Sequence, residues 1–182
     1  MKKIIIVTGA PLSGKDIHSK LIAEDLKYKL CSSDEIISEE IANKTKIGLI
    51  MEKYSQSETQ VPDEYLIMLM KEKIINLKED GIVFNDFPKT INQAKALDSF
   101  LFAKKINRPI PVLLETDNTV VVDRMGGNQD SFKMALNSFE RKVKPIISYY
   151  TPLGLKFDTS AKSVETISEE ILIAVRERCS LT

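Results

Sequence analysis

The chain has 182 residues, 43% of them hydrophobic, which suits a single domain with a sizeable core and requires no second one. Its 26 basic and 26 acidic residues cancel, so the totals give no footprint for nucleic acid or a membrane surface and point to a small-molecule partner. Cys31 and Cys179 are isolated thiols without CxxC or metal-ligand spacing, which fits a reducing, cytoplasmic setting better than a disulfide scaffold.

Ile4-Ile5-Ile6-Val7, after Met1-Lys2-Lys3, is too short for the apolar part of a signal peptide and reads as a buried parallel strand. Gly9-Ala10-Pro11-Leu12-Ser13-Gly14-Lys15 follows, and Ile17, Leu21, Ile22 and Leu26 then give the period of an amphipathic helix. A G-x-x-x-x-G-K turn between strand and helix points successive backbone N–H groups, and the positive end of the helix, at a polyphosphate. The lysine reaches the outer phosphates. That pattern closes on Ser or Thr, whose hydroxyl helps hold Mg²⁺, but here the position is Asp16. Two roles are open to Asp16: favouring the helix dipole, or contacting Mg²⁺. His18, the only histidine, is expected at the surface or the edge of the core, because no second histidine or cysteine stands at metal spacing.

Tyr28 to Cys31 is a short extended piece, and Ser32-Ser33-Asp34 has the look of a helix start capped by hydroxyl and carboxylate. Asp34 is either that cap or a group near the metal. Glu35 to Gln60 is polar and weakly periodic, and is expected to form short surface helices in a mobile insert. Val61-Pro62-Asp63-Glu64 opens a strong helix with Asp63 as its cap and Leu66, Leu69, Met70, Ile74 and Leu77 as its buried stripe. After Gly81, Ile82-Val83-Phe84 is a strand that delivers Asn85-Asp86-Phe87-Pro88-Lys89-Thr90 at its carboxyl end, the side of an open α/β sheet that faces ligands.

A helix over 94–103 carries Ala94, Leu97, Leu101 and Phe102 as its apolar set, and a strand covers 109–115 with Pro111 near its start or on a free side. Asp117 caps a helix through Val120, Val121 and Arg124 that stops at Gly126-Gly127-Asn128. A long helix from about Ser131 to Tyr150 is predicted to kink at Pro145. Gly154 to Thr159 is the last strand, and Ser163 opens a closing helix with Val164, Ile167, Ile171, Leu172 and Val175 inward. Strands alternating with helices imply an α/β fold: a parallel five-stranded sheet with helices on both faces. The phosphate loop and the Asn85 to Lys89 turn then share one edge.

Taken together, the segments resemble the adenylate kinase family of nucleoside monophosphate kinases over nearly the whole chain. The family's G-x-P-G-S-G-K-G-T is met by Gly9 to Lys15, its S-T-G-D by Cys31 to Asp34, and its V-P-D-E by Val61 to Glu64. Its D-G-F-P-R-T is met by Asn85 to Thr90, with Gln93 shortly after; its V-D-R by Val122 to Arg124; and its K-P-I-I-x-x-Y by Lys144 to Tyr150. The resemblance implies a single P-loop kinase domain over 1–182, a helical acceptor-binding insert at about 32–62 and a vestigial lid at about 125–130. It implies transfer of the terminal phosphoryl of ATP, with Mg²⁺, to a nucleoside monophosphate such as AMP, by a cytoplasmic monomer. Gly9, Ala10, Pro11, Leu12, Ser13, Gly14, Lys15, Asp16, Ile17 and Arg124 would then hold ATP, with Arg124 over its base. Ser32, Ile37, Val61, Asp86, Lys89 and Gln93 would face the acceptor. Lys15, Lys89 and Arg124 would serve the transfer itself, and Asp34 and Asp16 are the candidate metal carboxylates.

Several positions depart from the family's pattern. Leu12 replaces a glycine, Asp16 and Ile17 replace Gly-Thr, and Ile37 stands where an arginine meets the acceptor's phosphate. Asn85 replaces an aspartate that reaches Mg²⁺ through water, Lys89 replaces a second arginine, and the short lid lacks arginines. Phosphoryl transfer depends almost wholly on positioning and positive charge. A low rate is therefore expected. Alternatives to a working kinase are a nucleotide-binding protein with little transferase activity and a P-loop kinase for another small acceptor.

Overall fold

The computed structural model describes residues 2–57, 61–126 and 129–181. Strands β1 (Lys3–Gly9), β2 (Lys29–Ser32), β3 (Gly81–Asn85), β4 (Ile110–Glu115) and β5 (Leu155–Asp158) form one parallel sheet in the order β2-β3-β1-β4-β5. β1 is central because it is apolar on both faces. Ile4 and Ile6 enter a core on one side of the sheet, and Ile5 and Val7 enter another on the opposite side. Pro111, second in β4, costs the ladder nothing toward β5, whose pairing begins only at Val112.

The Ile5 and Val7 face is covered by α1 (Lys15–Leu26), through Ile22 and Ala23, and by α9 (Val164–Leu181), through Ile167, Ile171 and Val175. The other face is covered by α4 (Asp63–Ile75), α5 (Ile91–Ala103) and α8 (Lys144–Tyr150). Fully burying an aliphatic side chain contributes about 1.5–3 kcal/mol, so these two layers hold the sheet. Val164 and Phe102, expected inward, are exposed instead: each faces solvent while a near neighbour on its helix, Ile167 or Leu101, takes the buried face.

The insert forms α2 (Ser33–Ala42) and α3 (Lys46–Gln56), packed on each other and less superficial than expected, since Ile36 and Met51 are buried in the core. Two expected caps are not made. No side chain caps α2, because Ser33 Oγ donates to the Asp86 carbonyl and Asp34 turns to Lys89; Asp63, at the head of α4, accepts from Thr90 and Gln93 instead. Asp117 does cap α6 (Asn118–Arg124), accepting from Thr119 N at 2.8 Å. The long helix after it is divided: α7 (Gln129–Ser138), a π-helical turn over Phe139–Val143, and α8 with Pro145 in its first turn. The proline has no N–H for the helical ladder, and the ladder re-registers just ahead of it.

His18 lies inside rather than at the surface. It is 2% exposed between α1 and α9, with Nδ1 at 3.1 Å from Ser168 Oγ. Ser168 donates to the Val164 carbonyl at 2.6 Å, so its oxygen accepts from Nδ1–H. Burial lowers the pKa of His18 from its ordinary 6.5, so the folded protein favours the neutral ring. The stabilising contribution is complete above pH 6.5 and is lost as pH falls through the lower folded value. Thermal melts from pH 8 to pH 5 are expected to decline below that point more steeply for the native protein than for His18→Asn; parallel curves would contradict the burial argument.

Candidate active site

The carboxyl ends of the strands gather the site. β1 ends at Gly9, and the turn to α1 passes through Leu12 at φ 57° and Gly14 at φ 85°. Gly14 is free of the cost that φ imposes on other residues. At Gly9 the constraint is space: a Cβ there would lie 2.4 Å from the Leu114 carbonyl oxygen and 2.9 Å from Ser13 Oγ. Ala10 N donates to that same carbonyl at 3.3 Å, and Ser13 N to the Ala10 carbonyl at 3.2 Å. The loop is thus folded tightly over β4, at the head of α1, whose first N–H groups have no partners within the helix. Ser13 Oγ is buried there and has no hydrogen-bond partner among the described residues. Lys15 is half-buried at the helix start and makes no ion pair among the described residues. Open backbone donors, an orphan hydroxyl and an uncompensated ammonium at one helix head fit a polyphosphate. Asp16 is exposed beside them; its Oδ1 accepts from Asn85 Nδ2 at 2.8 Å. Ile17, 48% exposed, turns to solvent.

Arg124 comes from the last turn of α6. One of its nitrogens donates to the Leu12 carbonyl at 2.7 Å and another to the Thr159 carbonyl at 2.9 Å. The guanidinium joins the loop tip to the end of β5, an anchoring to backbone that residue type alone did not signal.

Across the mouth lies the predicted acceptor side. Ser32 and Val7 flank Asn85 in the sheet register, which brings the Asn85 to Lys89 turn beside the loop. Lys89 Nζ is 2.8 Å from Asp34 and 3.4 Å from Asp86, and the Asp86 backbone is left-handed at φ 60°. Ile37 and Val61 pack against the apolar cluster. Gln93 is fully buried, accepting from Lys89 N and donating to Asp63, both at 2.7 Å, while Thr90 donates to the other Asp63 oxygen. This Asp63–Gln93–Lys89 link escaped the sequence reading; the only signal was that Asp63 and Gln93 both stand in matched motifs. Of the reduced lid, 127–128 lie outside the described residues. Lys133 is exposed on α7. A separate cavity of about 420 Å³ runs along β2 between α2 and α4, where Lys73 already pairs with Glu39 at 3.0 Å. Burial there pushes the Cys31 thiol up to about 12, so it is no nucleophile.

The family described as adenylate kinase matches residues 7–155, which include the cradle, the Asn85 to Thr90 turn and Arg124. The chain belongs to the adenylate kinase family. It is similar to the adenylate kinase of Synechococcus sp. strain CC9902, 29% identical over 94% of this chain and 97% of that one. It is also similar to the adenylate kinases of Azobacteroides pseudotrichonymphae, 31% identical over 91% and 93%, and Clostridium kluyveri, 32% identical over 83% and 87%. Membership in this family makes it an ATP-dependent phosphotransferase acting on nucleoside monophosphates. No helix among the described residues is long and apolar enough to cross a membrane.

The site's dependence on close approach gives a direct test. Gly9→Ala is expected to cost about 1–3 kcal/mol in denaturant unfolding, because the Leu114 backbone cannot yield as a side chain would.

Proposed function

We propose that the chain transfers the terminal phosphoryl of ATP to AMP, slowly for its family, with the helical insert over 32–62 as the acceptor arm and a reduced lid at 125–130. The observation that carries this reading is the uncompensated Lys15 beside the orphan Ser13 hydroxyl at the head of α1. Gly9 to Ile17 cradle the phosphates through backbone donors, Lys15 meets the outer ones, and Arg124 keeps the loop tip in place beside the base. Mg²⁺ bound with ATP would neutralise charge on the phosphates, and Asp16 and Asp34 are the carboxylates that could face it.

On the acceptor side Ser32, Ile37, Val61, Asp86 and Lys89 line the space for the monophosphate, and the buried Gln93 supports it from behind rather than meeting the ligand. Gln93 fixes the Lys89 backbone, while the Lys89 ammonium is the one cation at this turn. Two carboxylates already claim that ammonium, and Ile37 brings no charge. The positive potential that an acceptor phosphate and the transferring phosphoryl require is therefore weak. Preorganised donors are worth about 10²- to 10³-fold each in such reactions, so losing two lowers turnover by about 10⁴. The same pairing of Lys89 supports the second reading, a nucleotide-binding protein with little transfer.

Two measurements test this. Lys15→Ala is expected to weaken ATP binding by at least about tenfold in calorimetry; unchanged affinity would remove the cradle from the site. Ile37→Arg combined with Lys89→Arg is expected to raise transfer to AMP by at least about tenfold with ATP affinity nearly constant. Family-typical turnover in the native protein, about 1–100 per second for kinases, would sink the low-rate reading. Inactivity on every monophosphate, before and after the double change, would favour the binding protein.

A further inference from the structure

Asp16 and Asn85 make a contact that packing does not require. Asp16 is exposed in the first turn of α1, and Asn85 ends β3; the carboxamide crosses between the two elements to donate Nδ2–H to Asp16 Oδ1 at 2.8 Å. The reverse amide orientation would set two oxygens against each other, so the chemistry fixes the donor. The other end of the carboxamide is left worse off. Asn85 Oδ1 is buried and has no hydrogen-bond partner among the described residues, which is unfavourable.

A carboxylate serving only the helix dipole needs no such holder, because that benefit comes from its position in the first turn. A carboxylate beside a polyphosphate also repels it unless a cation stands between them. Asp34, the other carboxylate near the mouth, already has the Lys89 ammonium at 2.8 Å as its counter-charge. Asp16 has no cation partner among the described residues, and one of its oxygens is pinned while the other is open.

We propose that Asp16 is the carboxylate that faces the divalent cation brought by the nucleotide, and that Asn85 is its positioning residue. The inference rests on the reading of the cradle as an ATP site. Asn85 holds Oδ1 and aims the second oxygen at the cation or its bound water, as outer hydrogen bonds do for metal-facing groups generally. The buried Asn85 oxygen is then a local cost of orienting a charge, and Ser13 Oγ is a second orphan in the same cradle.

Mn²⁺ serves as the probe, its binding followed by electron paramagnetic resonance with a non-hydrolysable ATP analogue bound. Asp16→Asn is expected to weaken Mn²⁺ by at least about tenfold and Asn85→Ala by about three- to tenfold, within the range of such outer contacts. Asp34→Asn is expected to stay within about twofold of the native protein. Thermal melts confirm folding, and the two variants on different elements keep the test decisive if either is unstable. Unchanged Mn²⁺ affinity in Asp16→Asn overturns the assignment of Asp16, and unchanged affinity in Asn85→Ala overturns the positioning role. A loss in Asp34→Asn equal to that in Asp16→Asn overturns both by moving the carboxylate to the acceptor side. Failure of the analogue to bind the native protein even with the cation present instead sinks the ATP reading itself.

Discussion

At Gly9 the backbone of β1 passes so close to the Leu114 carbonyl that a methyl group has no room, and the shape of the turn into α1 depends on that contact. Because the strands are parallel, their carboxyl ends lie along one edge, and the tight pass lets the chain turn directly into α1 without leaving it. The unpaired N–H groups of the first helical turn, Lys15 and Ser13 are thereby held over β4. The Arg124 guanidinium fastens the far side of the same loop to the Thr159 carbonyl, which brings β5 into the arrangement. Polar groups that would be costly in isolation are concentrated where a polyanion can satisfy them.

The fold was legible to the extent that local pattern decides it. β-branched runs and helical periods located the sheet and its two layers, and the glycines with Lys15 marked the tight turn from β1 into α1. What escaped the sequence depends on distant partners. His18 reads as a residue of the surface or the edge of the core until α9, 150 positions later, supplies the Ser168 hydroxyl. Asp63 and Asp34 look like helix caps, yet each is drawn away by a group on the Asn85 to Gln93 segment. Ser33 likewise gives its hydroxyl to the Asp86 carbonyl. Capping is worth only about 1 kcal/mol, and a charge-assisted or paired contact across elements outweighs it.

The two sides of the mouth differ in charge economy. Around Lys15 no ion pair forms among the described residues, and the neighbouring carboxylate is held by a neutral amide; Lys89 is instead paired with two carboxylates. Exposed ion pairs are worth about 1 kcal/mol or less each, so the difference between the two lysines is modest in energy but clear in charge.

The strand order has a consequence for how the chain comes to be built. β1 is the first strand synthesised and the middle of the sheet, but its neighbours are made only at residues 81–85 and 110–114. During synthesis its apolar residues wait for both partners, and the loop-closure entropy of those distant pairings must be met before burial repays it. The central strand therefore gains its full burial only once residues 110–114 are there to pair with it. Gly9, at its end, meets Leu114 across the wider of the two spans.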